Sequence, residues 1–276
     1  MIQTNALSTR GSAWRLFIAC LISTAVVAGC GVGFGTDGSA ISAGVGSGGT
    51  GVFKASLSGA VTDGYLINAI IFMDKNGNYQ LDSEEPYAVT GVDGVSKLEV
   101  ATADIGAYPI VAVALKGITI DSSTMQAVVS NYVLSFPKES FNNSESNIIS
   151  PLSSQLRELL ETGKYVTVRQ AMNALADHMG LPSDIDLLAE NIAADNPTLN
   201  AAAKSIAAIM WMQTGQILVS GAATPAVDVD RYRTMMKLIA DNMLIVSRMN
   251  SPENLINLNN NISVVLDGMP HKTTAP

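Results

Sequence analysis

The chain is short of cysteine, histidine, aromatic residues and charge, and each shortage excludes something. Cys20 and Cys30 are the only cysteines and both lie near the N-terminus, so no disulfide framework and no Cys-based zinc or haem motif can be drawn for the rest of the chain. The two histidines, His178 and His271, form no H-E-x-x-H pair, and there is no P-loop and no G-x-S-x-G elbow. His178 falls within a helical pattern and reads as an ordinary helix residue. Charged residues make up 14% of the chain and the net charge is −8, which argues against nucleic acid, whose binding needs a basic footprint. Gly44, Gly46 and Gly49 match G-x-G-x-x-G, but neither the strand before it nor the helix after it that a dinucleotide site requires can be placed there. With no catalytic constellation, the chain reads as non-enzymatic.

Arg10 and Arg15 precede the apolar stretch Leu16–Ala28, and small residues lead into Cys30 through Val27-Ala28-Gly29. A charged start, a short apolar core and a small-residue cut site make a secretory signal peptide over 1–29. The stretch is too short to cross a ~30 Å hydrocarbon core, which needs roughly 20 residues. A cysteine directly after the cut resembles the lipobox of bacterial lipoproteins. The resemblance implies cleavage before Cys30 and acylation of its thiol and new amine with palmitate-type chains. The mature chain is then held in the cell envelope by its lipid anchor. Gly31, where an aspartate would signal inner-membrane retention, points to the outer membrane or cell surface. Loss of Arg10 and Arg15, with no acidic residue before Cys30, moves the net charge from −8 to −10. That acidity argues against electrostatic attraction to anionic lipid.

Residues 30–51 combine the lipidated cysteine with a Gly/Ser-rich tether. From 52 to 147 the pattern predicts a small β-sandwich. Strands are expected at Val52–Val61, Ile67–Met73, Tyr87–Val92, Lys97–Ala101, Ile110–Leu115 and Val128–Phe136, divided by turn residues. The texture then changes. Ser150-Pro151 is a helix start, and Thr167 with Gln170 is a capping box with Gly180 as its stop. Helical spacing recurs through Val168–Met179, through Leu199–Ile217 with a polar break at Gln213, and through Tyr232–Val246. A last helix begins at Ser251-Pro252. Residues 148–268 read as an all-α domain and 269–276 as a disordered tail. The fold class is therefore α+β, a small N-terminal β-sandwich followed by helices. The methionines around Met210, Met235, Met236 and Met243 read as core filling.

One stretch carries chemistry. Asp74, Asn76, Asn78, Asp82 and Glu85 stand at positions 1, 3, 5, 9 and 12 of a loop, the spacing of an EF-hand-type calcium site, with Gln80 at position 7 to give its backbone carbonyl. Ca²⁺ takes six to eight oxygens, and a turn of Asp and Asn supplies them. Position 6, where the pattern requires glycine, holds Tyr79, and only three ligands are carboxylates. The affinity expected is of the extracellular kind, about 10⁻⁴–10⁻³ M. A polar hairpin loop around Asn76-Gly77 that needs no ion is the alternative.

The wider stretch, from Ser58-Gly59 through Asp63-Gly64-Tyr65 to Phe72-Met73-Asp74 and on to Glu84-Glu85-Pro86, resembles the carboxypeptidase-regulatory-like and SdrD B-like β-sandwich modules of bacterial surface proteins. The resemblance implies a calcium-stabilised spacer or adhesive module. The expectation is a cell-surface lipoprotein acting in binding or adhesion, toward a protein or polysaccharide partner. The alternative is a structural subunit of an envelope or extracellular fibre assembly.

Overall fold

The computed structural model describes residues 50–57, 65–140, 147–188, 196–219, 226–248 and 252–272. Cys30, the signal peptide and all but the end of the tether lie outside the described residues. Among the described residues ten strands come first: β1 (Thr50–Leu57), β2 (Leu66–Ile67), β3 (Ile70–Met73), β4 (Tyr87–Val89), β5 (Val95–Ala101), β6 (Ile110–Ala114), β7 (Ile120–Asp121), β8 (Gln126–Ala127), β9 (Tyr132–Phe136) and β10 (Asn147–Ile149). Seven α-helices follow among the described residues: α1 (Pro151–Glu161), α2 (Val168–Met179), α3 (Pro197–Met212), α4 (Thr214–Ile217), α5 (Val229–Asp241), α6 (Met243–Val246) and α7 (Pro252–Asp267).

The strands form a four-stranded antiparallel sheet in the order β4-β3-β6-β9, a three-stranded sheet β10-β1-β5 and a small ribbon β2-β7-β8. β5 shows the half-buried alternation, with Ser96, Leu98 and Val100 inward and Lys97 and Glu99 outward. By contrast β6 and β9 are buried at every position, as strands covered on both faces must be. Their apolar runs carry no period for that reason. In the sheet β10-β1-β5, β1 pairs antiparallel with β5 and parallel with β10, so the first described strand is its centre.

β4 turns into β5 through a tight bend closed by the Gly94 N–H donating to the Gly91 carbonyl at 2.9 Å. Gly94 has φ +71°, and a Cβ there would lie 2.2 Å from Cβ of Tyr65, so neither the backbone nor the space admits a side chain.

The change from strand to helix falls at β10 and Ser150. Ser150 caps α1 in a full capping box: its hydroxyl accepts the Ser153 N–H, and the Ser153 hydroxyl accepts the Ser150 N–H. Ser153 and Ser154 then bond Ser135 of β9, seating α1 on the four-stranded sheet. Thr167 caps α2, Gly180 ends it with φ +70°, and the Gln170 side chain returns to Val166, one residue before the cap. The polar breaks at Gln213 and Asn242 divide the two long periodic stretches into α3–α4 and α5–α6. Buried Gln213 donates to Asn259 of α7. Met210, Met235, Met236 and Met243 are core residues, while Met212 is half exposed. After Gly268, the expected disordered tail is held as far as it is described: Arg231 donates to the carbonyls of Met269 and Pro270, and the Lys272 N–H to Asp228.

Strand and helix residues share one apolar core that runs from Phe72, Val111 and Leu134 through Leu152 and Leu156 to Leu175, Ile206 and Ile239. The described residues form one compact unit.

Candidate functional site

The loop Asp74–Glu85 leaves β3 at the edge of the shared core and returns before β4. Asp74 is completely buried. Its Oδ1 accepts the N–H groups of Gly77 and Asn78 at 2.9 and 3.1 Å, and its Oδ2 accepts that of Tyr79 at 3.3 Å. Asn76 Oδ1 accepts the Asn78 N–H, and Asn78 Oδ1 accepts the Gln80 N–H. Glu85 closes the loop, its two oxygens taking the N–H groups of Lys75 at 2.7 Å and Asp82 at 3.1 Å. Burial pushes the Glu85 carboxyl up from its ordinary range, opposed by these two N–H donors. Tyr79 adopts φ +61°, so the position reserved for glycine keeps the left-handed turn with a bulky residue in it.

What holds Tyr79 in that conformation comes from α1. The Arg157 guanidinium lies 3.8 Å from the centre of the Tyr79 ring and donates to Asp74 Oδ2 at 2.7 Å, with both charged side chains almost fully buried. The Tyr79 hydroxyl donates to Glu158, and its ring packs 5.0 Å from that of Tyr232 on α5. Glu158 is 5% exposed, and loss of hydration pushes its carboxyl up to about 8, against a partial counter-pull from Arg233. Tyr232 is raised by the same burial.

All six residues expected as metal ligands are thus brought into one closed loop. Asp74, Asn76, Asn78, Asp82 and Glu85 offer hard oxygens, and Gln80 follows with its backbone carbonyl, so in kind the set fits Ca²⁺. In the arrangement described, the loop's own donors hold those oxygens. The amide nitrogens of Asn76 and Asn78 lie 2.7 and 2.9 Å from Asp82 Oδ2, and Arg157 sits on Asp74. Among the described residues no three carboxylate, imidazole or thiol groups are gathered as a ready metal cage. A cation here therefore replaces hydrogen bonds already made, which lowers its affinity.

Nothing in the sequence marks Arg157, Glu158 and Tyr232 as partners of this loop. The one available signal is Tyr79 itself, a large ring where glycine belongs. Comparison with protein-family models, curated proteins and solved structures finds no match. Among the described residues no helix is long and apolar enough to cross a membrane.

Proposed function

We propose that this chain is a non-enzymatic, lipid-anchored protein of the cell envelope, attached through Cys30, in which a calcium-responsive loop couples a β-sandwich to a helical part that meets a partner. The observation that carries the reading is the reach of Asp74 and Tyr79 out of the loop and into α1, where they engage Arg157 and Glu158. A loop serving only as a turn has no need of a buried ion pair with a residue 83 positions away. When Ca²⁺ binds, Asp74, Asn76, Asn78, Asp82 and Glu85 hold it with side-chain oxygens and Gln80 with its carbonyl, and the ion supplies two positive charges against the three carboxylates. Arg157 already supplies one positive charge to Asp74, which keeps the affinity in the weak, extracellular range. The buried contacts then make loop closure and helix seating one event.

The test is thermal unfolding of the full chain with millimolar Ca²⁺ or with a chelator. At ten times the dissociation constant, mass action contributes about 1.4 kcal/mol. The melting temperature is expected to rise with Ca²⁺ and fall back with chelator. Asp82→Asn, at a side chain that accepts from Asn76 and Asn78 and takes no part in the Arg157–Asp74 pair, is expected to lose most of the rise without disturbing that pair. No rise in the unaltered chain removes the metal from the reading. Mass spectrometry of the N-terminus tests the anchor separately: an intact, unmodified Met1 start overturns it.

A second reading, a subunit of an envelope or fibre assembly, is favoured by apolar residues that α7 leaves exposed: Ile256, Val264 and Val265, beside its buried Leu258, Ile262 and Leu266. Stoichiometric co-purification after mild cross-linking supports that reading.

A further inference from the structure

β5 closes one side of the sheet β10-β1-β5, and among the described residues no strand pairs with its outer margin. The direction of its backbone groups follows from Val95. The Val95 N–H donates to Asp93 Oδ1 at 3.1 Å and its carbonyl accepts the Gly91 N–H at 2.9 Å, so both point into the bend and away from β1. Backbone groups on alternate residues of a strand point the same way. Lys97 and Glu99 therefore aim their N–H and C=O groups outward as well, and no described residue takes them. β4, which enters the bend, is likewise an edge of its own sheet, and its Tyr87 and Val89 are half exposed, with Val92 of the bend almost fully so. A margin of this kind is a template for another strand.

The side chains say which strand. Along β5, Ser96, Leu98 and Val100 are buried, while Lys97 and Glu99 stand exposed on the outer face. Neither charge is answered within the sheet: the register partner of Lys97 on β1 is another lysine, Lys54, and that of Glu99 is Val52. A lone lysine on an edge ordinarily guards against pairing, because a strand laid beside it must answer the charge. Lys97-Leu98-Glu99 lifts that guard for one partner, its own copy. Two β5 strands laid antiparallel about a two-fold axis at Leu98 set Lys97 of each opposite Glu99 of the other, and the outward N–H and C=O groups of these residues then meet one another. Opposite charges directly across an antiparallel pair attract, and like charges repel. Sliding by two residues sets Lys97 against Lys97 in one direction and Glu99 against Glu99 in the other. Sliding by one lays the buried face of one copy beside the exposed face of the other. The edge is thus complementary to itself, and at a single register.

We propose that this chain forms a two-fold dimer by pairing β5 with β5 of a second copy, Lys97 and Glu99 of each meeting across the axis, so that the two sheets become one in the order β10-β1-β5-β5-β1-β10. The inference uses neither calcium nor the anchor and stands apart from both.

The experiment uses the full chain in detergent, with its mass read by native mass spectrometry and its contacts by carbodiimide cross-linking. The reagent joins an amine to a carboxylate as an amide and itself takes up the water. Copies labelled with heavy nitrogen are mixed with unlabelled ones, which tells a link between copies from a link within one. A dimer mass is expected, with Lys97–Glu99 links of mixed isotope. Lys97→Glu and Glu99→Lys, each alone, set like charges across the axis twice over and should weaken the dimer at least about tenfold. Both side chains are exposed, so each variant is expected to keep the melting temperature of the unaltered chain. Mixed together, the two variants face opposite charges again and should pair with each other. A monomer mass throughout overturns the proposal, as does a dimer that either variant alone leaves unweakened. A mixture that fails to recover, or mixed-isotope links that lie only outside β5, overturns it equally.

Discussion

Glu158→Gln isolates the buried carboxyl at the heart of the loop–helix junction. In the folded chain Glu158 titrates at about 8, against 4.5 for the exposed side chain, because burial disfavours its charged form. Between those values the folded state holds a proton that the unfolded state has released. Stability therefore falls as pH rises from about 4.5, and the loss is complete above about 8. At about 1.4 kcal/mol for each tenfold change in proton affinity, the ceiling on that loss is roughly 5 kcal/mol. Glutamine has nearly the same shape, accepts the Tyr79 hydroxyl and cannot ionise. The variant is expected to match the unaltered chain within about 1 kcal/mol at pH 5 and to exceed it by a few kcal/mol at pH 9. Urea unfolding with chelator present, at single pH steps from 5 to 9, measures this as a divergence of midpoints at constant slope. If the two chains keep a fixed difference across that window, or if the variant is the weaker one at pH 9, the buried proton is not where the structure puts it.

Two further substitutions probe the same frame. Arg157→Met removes the guanidinium from Asp74 and leaves a buried carboxylate unpaired. The expected loss is about 3–5 kcal/mol by urea unfolding, with part of it recovered when Asp74→Asn is added, which removes the charge and keeps Oδ1 as acceptor for the Gly77 and Asn78 N–H groups. Gly94→Ala drives a methyl into Tyr65 at a left-handed backbone position. Its expected cost, at least about 2 kcal/mol, should appear as a lower melting temperature, whereas Gly117→Ala, with the same backbone sign and open space, should cost roughly 1 kcal/mol.

The helices are more legible in the sequence than the strands. Ser150-Pro151, Thr167 and Gly180 declare their ends through local backbone chemistry, and the polar break at Gln213 coincides with a real interruption, whereas the one at Asn242 divides a stretch that reads as continuous. Strand limits are less legible. Val128–Phe136 reads as one run, yet only 132–136 form a strand of the main sheet, because a strand buried on both faces loses the alternation that would show its limits; the ribbon strand at 126–127 lies just before the run. The strand expected over Val52–Val61 is observed as Thr50–Leu57, and residues 58–64 lie outside the described residues. The loop is legible as a closed unit because its oxygen-bearing side chains fall where backbone N–H groups need acceptors. Its attachment to α1 is not legible: Arg157 and Glu158 sit 83 and 79 residues from their partners, and no local pattern records such a distance.

The central place of β1 has a mechanical consequence. If the chain is moored by acyl groups at Cys30, as proposed, any tug on its body arrives through the residues just before Thr50. That tug runs along a strand bonded on one side to β5 and on the other to β10, so both ladders bear the load in shear and must fail together rather than peel one rung at a time. On that proposal the body meets its mooring at a strand held on both sides, the arrangement that resists drag.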